Sequence, residues 1–395
     1  MPLPLKSFGL TLATRSPIIS TIIMSSKPNN LTVKTRWVMR RNAILGSAAF
    51  QRWASRTPII RGIAKRRAAA QFDLIAGFIY SQILVAFVSA GLIEFLQLHL
   101  RSFEEIAKFT GLNIDATDRL LKAAQSLQIA ESPQAGLWTL GETGAPLSAN
   151  EGAMAMIRHH HLLYRDLADP LALLKANRRT ETNLSAYWTY ASKGQGDDAT
   201  GYSALMAATQ PMVSQQIIDA YDFSAHKRML DIGGGSGAFT AAIAAAAPQL
   251  QFGILDLPEV IAEARNRIVS GKPSAAIEFH SGSFKSVELP RDHDLITLVR
   301  ILHDHDDEVA QALLAKIYEA LPKAGRLLII EPMAQSCDAT RMGDAYFGLY
   351  LWAMGSGRPR SASEIKTMLS NVGFAVITPV KTALPIITSA LVAIK

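Results

Sequence analysis

From residue 227 onward, short apolar runs alternate with amphipathic stretches. The runs at 228–232, 251–256, 276–280, 295–300, 326–331, 374–379 and 387–394 are of strand length. Most are separated by helical patterns, such as 237–247 and 308–321. In the second of these, Val309, Leu313, Ile317 and Leu321 recur at four-residue spacing and form one apolar stripe. This alternation predicts an α/β, Rossmann-like domain over 226–395, with a mostly parallel seven-stranded sheet covered on both faces. Ligands of such sheets lie at the carboxyl ends of the strands, near the point where strand order reverses.

Upstream the periodicity is helical. The stretch "LIAGFIYSQILVAFVSAGLIEF" (74–95) has no charge from Leu74 to Ile93, which is enough to span a membrane by length. Gly77, Ser81, Gln82, Ser89 and Gly91 interrupt it, so it reads instead as a buried or dimer-interface helix that breaks near Gly91. Ser102 with Glu105 forms a capping-box pattern that opens a short helix, and Gly111 ends it. A second helix starts at Asp115 or Thr117 and carries Leu120, Leu121, Ala124 and Leu127 at helical spacing; strand-like "GLWTL" (136–140) follows. Residues 73–150 therefore outline a winged helix. Arg119 and Lys122 share its second helix with Asp115 and Asp118, a poor surface for phosphates. A structural, dimerising role without nucleic acid is the reading here; a metabolite-sensing regulator is the rival class.

Residues 151–225 form a helical, aromatic-rich linker expected to border a substrate pocket. His159, His160 and His161 are consecutive and fan out about 100° apart on a helix, so they do not converge on one ion.

Charge is unevenly placed. Residues 1–72 hold 13 of the 40 Lys/Arg and no acid, leaving 27 bases against 33 acids in the rest. The net charge of +7 thus belongs to an N-terminal arm, read as a solvated or membrane-surface extension. The single cysteine, Cys337, excludes an internal disulfide framework and fits a reducing, cytoplasmic location.

The candidate chemistry lies in two stretches. "RMLDIGGGSGAF" (228–239) is a strand that runs through Gly233, Gly235 and Gly237 into a helix, a turn that lets a ligand approach the backbone. Asp231, inside the strand end, would repel a pyrophosphate and accept from an ammonium. Asp256 ends the next strand at the distance suited to a ribose diol. Two acids so placed fit S-adenosylmethionine better than a dinucleotide. The other stretch is "ILHDHDDE" (301–308). Asp306, Asp307 and Glu308 fall where a helix starts and complement its free N–H groups. His303 and His305 diverge, so no metal is expected there.

The motifs "LDIGGGSG", "FGILDLPEVI", "LVRILHDHDDE" and "LLIIEPM", in this order, resemble the small-molecule O-methyltransferases related to plant phenolic and acetylserotonin methyltransferases. The likeness spans roughly 74–395. "GDAYFGLYLWAMGSGRPRSASEI", "YSALMAATQP" and "RRNAILGSAAFQRWASRTP" are most similar to the branch acting in purple-bacterial carotenoid synthesis. The resemblance implies a homodimer that binds S-adenosylmethionine and methylates a tertiary hydroxyl of an acyclic carotenoid. Another hydrophobic pigment, such as a bacteriochlorophyll precursor, is the alternative substrate.

By the same resemblance His303 is the proton acceptor, Glu331 orients it, and Asp304 touches substrate. Gly233, Gly235, Gly237, Asp256, Phe284 and Arg300 would border the cofactor. Ser283 stands where the family has an aspartate facing the adenine amino group, and Pro359 where it has a second orienting glutamate. Tyr164, Met206, Tyr350 and Met354 are the substrate-pocket candidates, with Tyr187, Trp188, Tyr346, Phe347 and Trp352 available around them.

Overall fold

The computed structural model describes residues 31–178, 180–187, 197–271, 276–336 and 339–395. The first 30 residues, Trp188 and Cys337 lie outside the described residues. The chain forms two compact units, Met1–Tyr80 and Ser81–Lys395.

The first unit is helical where described: α1 (Val33–Leu45), α2 (Ala48–Arg56) and the start of α3 (Pro58–Ser89). Thr32 and Ser47 cap α1 and α2 by accepting from the N–H groups of Thr35 and Phe50. The boundary expected between 72 and 73 falls inside α3, which is continuous for 32 residues. By length and composition α3 is able to cross a membrane, with a mean hydropathy of 1.7 over its most apolar window. Of the two readings of residues 74–95, buried or dimer-interface helix, burial within the chain holds only toward the end of the stretch, where Phe87, Val88, Leu92 and Ile93 are buried. Only Phe87 and Val88 of α3 are buried, whereas Phe72, Leu74, Ile75 and Phe78 are exposed. Gly91, in the left-handed region at φ +70°, provides the expected break.

In the second unit α4 (Leu92–Leu96) leads to β1 (Arg101–Ser102), α5 (Phe103–Thr110) and α6 (Ile114–Ser126). The antiparallel pair β2 (Ala130–Gln134) and β3 (Leu137–Leu140) follows, and β1 adds to β3. Ser102 and Glu105 make the reciprocal capping box. The cap of α6 is Asn113, ahead of the expected start, because its side chain accepts from Ala116 N–H at 2.8 Å. Phe87, Leu92, Ile93, Leu96, Ile106, Leu121 and Trp138 bury a common core.

Helices α7 (Glu151–His159), α8 (His161–Asp166), α9 (Pro170–Lys175) and α10 (Asp197–Ile218) connect to the large sheet. Its strands are β4 (Arg228–Ile232), β5 (Gln251–Asp256), β6 (Ile277–Ser281), β7 (Leu295–Val299), β8 (Arg326–Glu331), β9 (Val376–Val380) and β10 (Ser389–Ile394). The spatial order is β6-β5-β4-β7-β8-β10-β9. The first five are parallel, and β10 runs antiparallel between β8 and β9.

Both faces of the sheet are covered, and α12 (Pro258–Gly271) follows β5. Leu230, Ile232, Leu298 and Leu327 pack with Leu313 and Ile317 of α13 (Asp307–Ala320). On the other face Met229, Phe252, Leu295 and Leu328 meet Ile217 of α10 and Ile243 of α11 (Ala238–Ala246). Burying each such side chain contributes roughly 1.5–3 kcal/mol. Strand order reverses at β4, with β5 on one side and β7 on the other, which places the binding crevice above these three.

Candidate active site

A cavity of about 550 Å³ opens at the carboxyl ends of β4, β5 and β7. Its floor is the turn from β4 into α11. Gly233 sits there at φ +70°, and any side chain on it would collide with Ile301. Gly235 also lines the cavity, whereas Gly237 does not: it packs against Ile254 and Ile268 and serves the closeness of helix to strand.

Asp231 lines the cavity and is otherwise buried, accepting from the hydroxyls of Thr297 at 2.7 Å and Thr240 at 3.0 Å. Burial pushes its pKa up to about 7, against the pull of the two hydroxyls. A carboxyl so placed ionises fully only beside a cation, so the site suits an ammonium group. Asp256 accepts from Gly235 N–H at 2.8 Å on one oxygen and Leu257 N–H at 2.7 Å on the other. Each oxygen keeps a lone pair for a ribose hydroxyl.

Phe284 and Ser283 line the far wall, and Phe284 meets His305 edge-on at 5.3 Å. On the near wall Arg300 reaches α10, bonding Thr209 at 2.7 Å, the Met206 carbonyl at 3.2 Å and Gln210. The Nε2 amide of Gln210 is buried at the cavity without a partner among the described residues. Such an orphan donor suits a carboxylate or carbonyl ligand. Sequence reasoning missed Gln210, which looks like any polar helix residue. Ammonium acceptor, diol acceptor, aromatic wall and orphan donor together fit S-adenosylmethionine.

The loop after β7 carries the candidate base. Arg300, at φ +57°, turns the chain out of the strand while its N–H donates to the Ile330 carbonyl at 2.8 Å. A single turn at Leu302–Asp304 follows. Asp304 lines the cavity; His303 stands behind it, buried, outside the lining. His303 Nε2 meets Asp304 Oδ1 at 3.1 Å, and its ring lies 5.9 Å from that of Phe347. Glu331 was expected to orient the imidazole. One of its oxygens instead accepts from Leu302 N–H at 2.5 Å and His303 N–H at 3.2 Å. The other faces Nδ1 at 3.9 Å, an ion-pair distance too long for a hydrogen bond. Burial pulls the His303 pKa down, but the Asp304 and Glu331 carboxylates outweigh it, and the net direction is up.

The acids after His305 do more than start a helix. Asp306 makes no side-chain cap bond; it takes Arg178 at 3.2 Å and Gly357 N–H at 3.1 Å. Asp307 takes Arg358 and Arg360. Arg360 is fully buried, and besides Asp307 it donates to the carbonyls of Leu302 and His305. A side chain on Gly357 would collide with the His303 carbonyl, so only glycine lets the two segments meet.

Of the substrate-pocket candidates, Met206 lines the cavity. Tyr350 and Met354 are buried with Leu163, Leu184 and Leu351, on α14 (Gly348–Met354), which continues a π-helical stretch at Arg341–Phe347. Tyr164 is half-buried, edge-on to His160. The histidine run is partnered by tyrosines: His159 Nε2 bonds the Tyr350 hydroxyl at 3.0 Å, and His160 Nε2 that of Tyr346 at 2.8 Å. Burial lowers the His159 pKa to about 4, so this ring is neutral.

Acid-bearing strand ends around one nucleoside-sized cavity, with an imidazole–carboxylate pair beside it, define a group-transfer enzyme of the doubly wound class. The O-methyltransferase domain family matches residues 164–375, and the chain belongs to that family. It is 39% identical over 343 residues to demethylspheroidene O-methyltransferase of Rhodobacter capsulatus, covering 85% of this chain and 84% of the relative. The Cereibacter sphaeroides protein of the same name is 36% identical, with 89% and 93% covered. Among solved structures, the pyocyanin biosynthetic protein PhzM superposes with a TM-score of 0.71 at 23% identity, covering 84% of this chain and 99% of that one. Human N-acetylserotonin methyltransferase in complex with S-adenosylmethionine gives 0.69 at 22%, covering 83% and 97%. These two show the shared fold. The chain is thus an S-adenosylmethionine-dependent O-methyltransferase.

Proposed function

We propose that the enzyme methylates a tertiary hydroxyl of an acyclic carotenoid, with the His303–Asp304 pair receiving the hydroxyl proton. The substrate class rests on the two relatives named for demethylspheroidene. The proton role rests on one observation: Asp304 faces the cavity while holding His303 Nε2 at 3.1 Å. When bound, S-adenosylmethionine supplies a methyl group made electrophilic by its sulfonium. Asp231, Asp256, Gln210 and Phe284 would hold it. A tertiary alcohol is a far weaker acid than imidazolium, so His303 does not deprotonate it beforehand. The proton passes to the pair as the oxygen is alkylated, and fixed placement of the hydroxyl supplies much of the acceleration. Glu331 and Arg360 keep the 302–305 backbone in place.

With labelled methyl donor and hydroxylated carotenoid in micelles, label is expected in a methoxy carotenoid. Label entering only a tetrapyrrole precursor overturns the substrate assignment. The regulator reading gains no support from α6, where Lys122 is paired to Asp118 at 2.8 Å.

Peripheral membrane contact and a homodimer complete the proposal. In α3, exposed Arg61, Lys65, Arg66 and Arg67 precede exposed Phe72, Leu74, Ile75 and Phe78, a sequence of charges and apolar groups suited to an anionic bilayer surface. Reversing the four charges to glutamate is expected to abolish co-flotation with anionic vesicles, and unchanged flotation ends that idea. Sedimentation should give twice the 42.8 kDa chain mass; a monomer removes the dimer.

A further inference from the structure

Away from the cavity, β6 carries Glu278 and His280 on one face, and His293 stands just before β7. We propose that these three side chains form a divalent transition-metal site, with zinc the best fit, that ties the edge strand β6 to the loop entering β7. One ligand atom from each lies within 4.8 Å of the others.

The imidazoles converge. Gly253 of β5 pairs with Glu278 in the parallel ladder, and a Cβ there would lie 3.0 Å from His293 Nε2 and 3.3 Å from His280 Nε2. A glycine in mid-strand leaves the space into which both nitrogens point. His293 Nδ1 bonds the Arg291 carbonyl at 3.0 Å and must be the protonated nitrogen, which leaves the Nε2 lone pair available. A carbonyl holding the far nitrogen is the usual support of a metal-bound histidine. His280 Nε2 is buried and has no hydrogen-bond partner among the described residues, yet sits 3.7 Å from a Glu278 oxygen.

Two imidazole nitrogens and one carboxylate oxygen form a donor set typical of zinc, with a fourth position for water. Small movements suffice, since Zn–N and Zn–O bonds of about 2.0–2.2 Å place ligand atoms closer than they now stand. One competitor is present: Arg228 bonds Glu278 at 3.2 Å and 3.4 Å. Metal binding would displace that guanidinium. The site would act on the scaffold of the cavity: Glu278 lies three residues before the β6 end that leads into the Ser283–Phe284 wall. Fixing β6 would stiffen that wall.

Titration of the metal-free full chain with Co²⁺, read by the visible bands of tetrahedral cobalt, and with Zn²⁺ by calorimetry, tests this. We expect one ion per chain, with affinity falling more than about 10-fold in His280→Gln and in His293→Gln, since even outer-shell changes cost 10–100-fold. The exposed His99→Gln control should bind as the parent does. Arg228→Gln should bind more tightly, a gain that misfolding cannot produce. No binding by the parent chain, equal binding by both histidine variants, or no gain in Arg228→Gln overturns the site.

Discussion

His303→Ala is expected to lower the single-turnover rate about 10²–10⁴-fold, the range for loss of a positioned proton acceptor. Binding of S-adenosylmethionine should change little, because the ring lies outside the cavity lining. The pH dependence gives the sharper reading. To accept a proton the imidazole must be neutral, so the rate rises with pH through the His303 pKa. Asp304 and Glu331 raise that pKa over the effect of burial, so the rising limb should have its midpoint above the ordinary histidine value of about 6.5. Asp304→Asn removes the larger of the two upward influences and should move the limb to lower pH. It should also reduce the rate, since Asp304 is the member of the pair that faces the cavity. An undiminished rate in His303→Ala, or a limb that stays put in Asp304→Asn, would sink the proton role.

Much of this site was legible because it lies where strands end. A parallel strand buried on both faces is an unbroken apolar run, so the last polar residue marks its carboxyl end: Asp231 and Asp256 were found in this way and both face the cavity. Gly237 shares their glycine-rich turn but belongs to helix packing, a distinction that spacing alone does not carry. The α3 helix was less legible for a related reason. Its charge-free run is what a helix covered by its own chain and a helix covered by a second copy both show, and Leu74 and Phe78 are exposed within the chain. His303 was expected on the loop after β7 and lies there, yet which of its two carboxylates stands at hydrogen-bond distance depends on how the turn after β7 closes. Glu331 is committed to backbone N–H groups there, a role no sequence pattern announces. Arg360 was the largest omission. In "GRPRS" attention falls on Pro359, and a fully buried arginine at a loop end reads as surface charge until its carbonyl partners are known.

That arginine carries the second large effect. Its guanidinium serves three acceptors on the His303 loop: the Leu302 carbonyl, the His305 carbonyl and the Asp307 carboxylate. Asp307 is partly exposed and shares Arg358, so water and its other partner can compensate for it. The Leu302 carbonyl is interior, and a buried acceptor left unmade costs about 1–3 kcal/mol. Arg360→Met keeps the packing and removes the donors, so urea unfolding should show a loss of at least that size. Arg360→Lys should recover only part of it, because one ammonium cannot span acceptors arranged for a planar fork. The loop that relaxes carries His303 between the two carbonyls, so the methyl-transfer rate should fall further than the folded fraction does. Asp231, Asp256 and Gln210 sit on other elements, so the affinity for S-adenosylmethionine should hold. A variant that loses cofactor affinity and rate in parallel would show that Arg360 supports the whole domain, and its assignment as the clamp of the proton-accepting loop would be wrong.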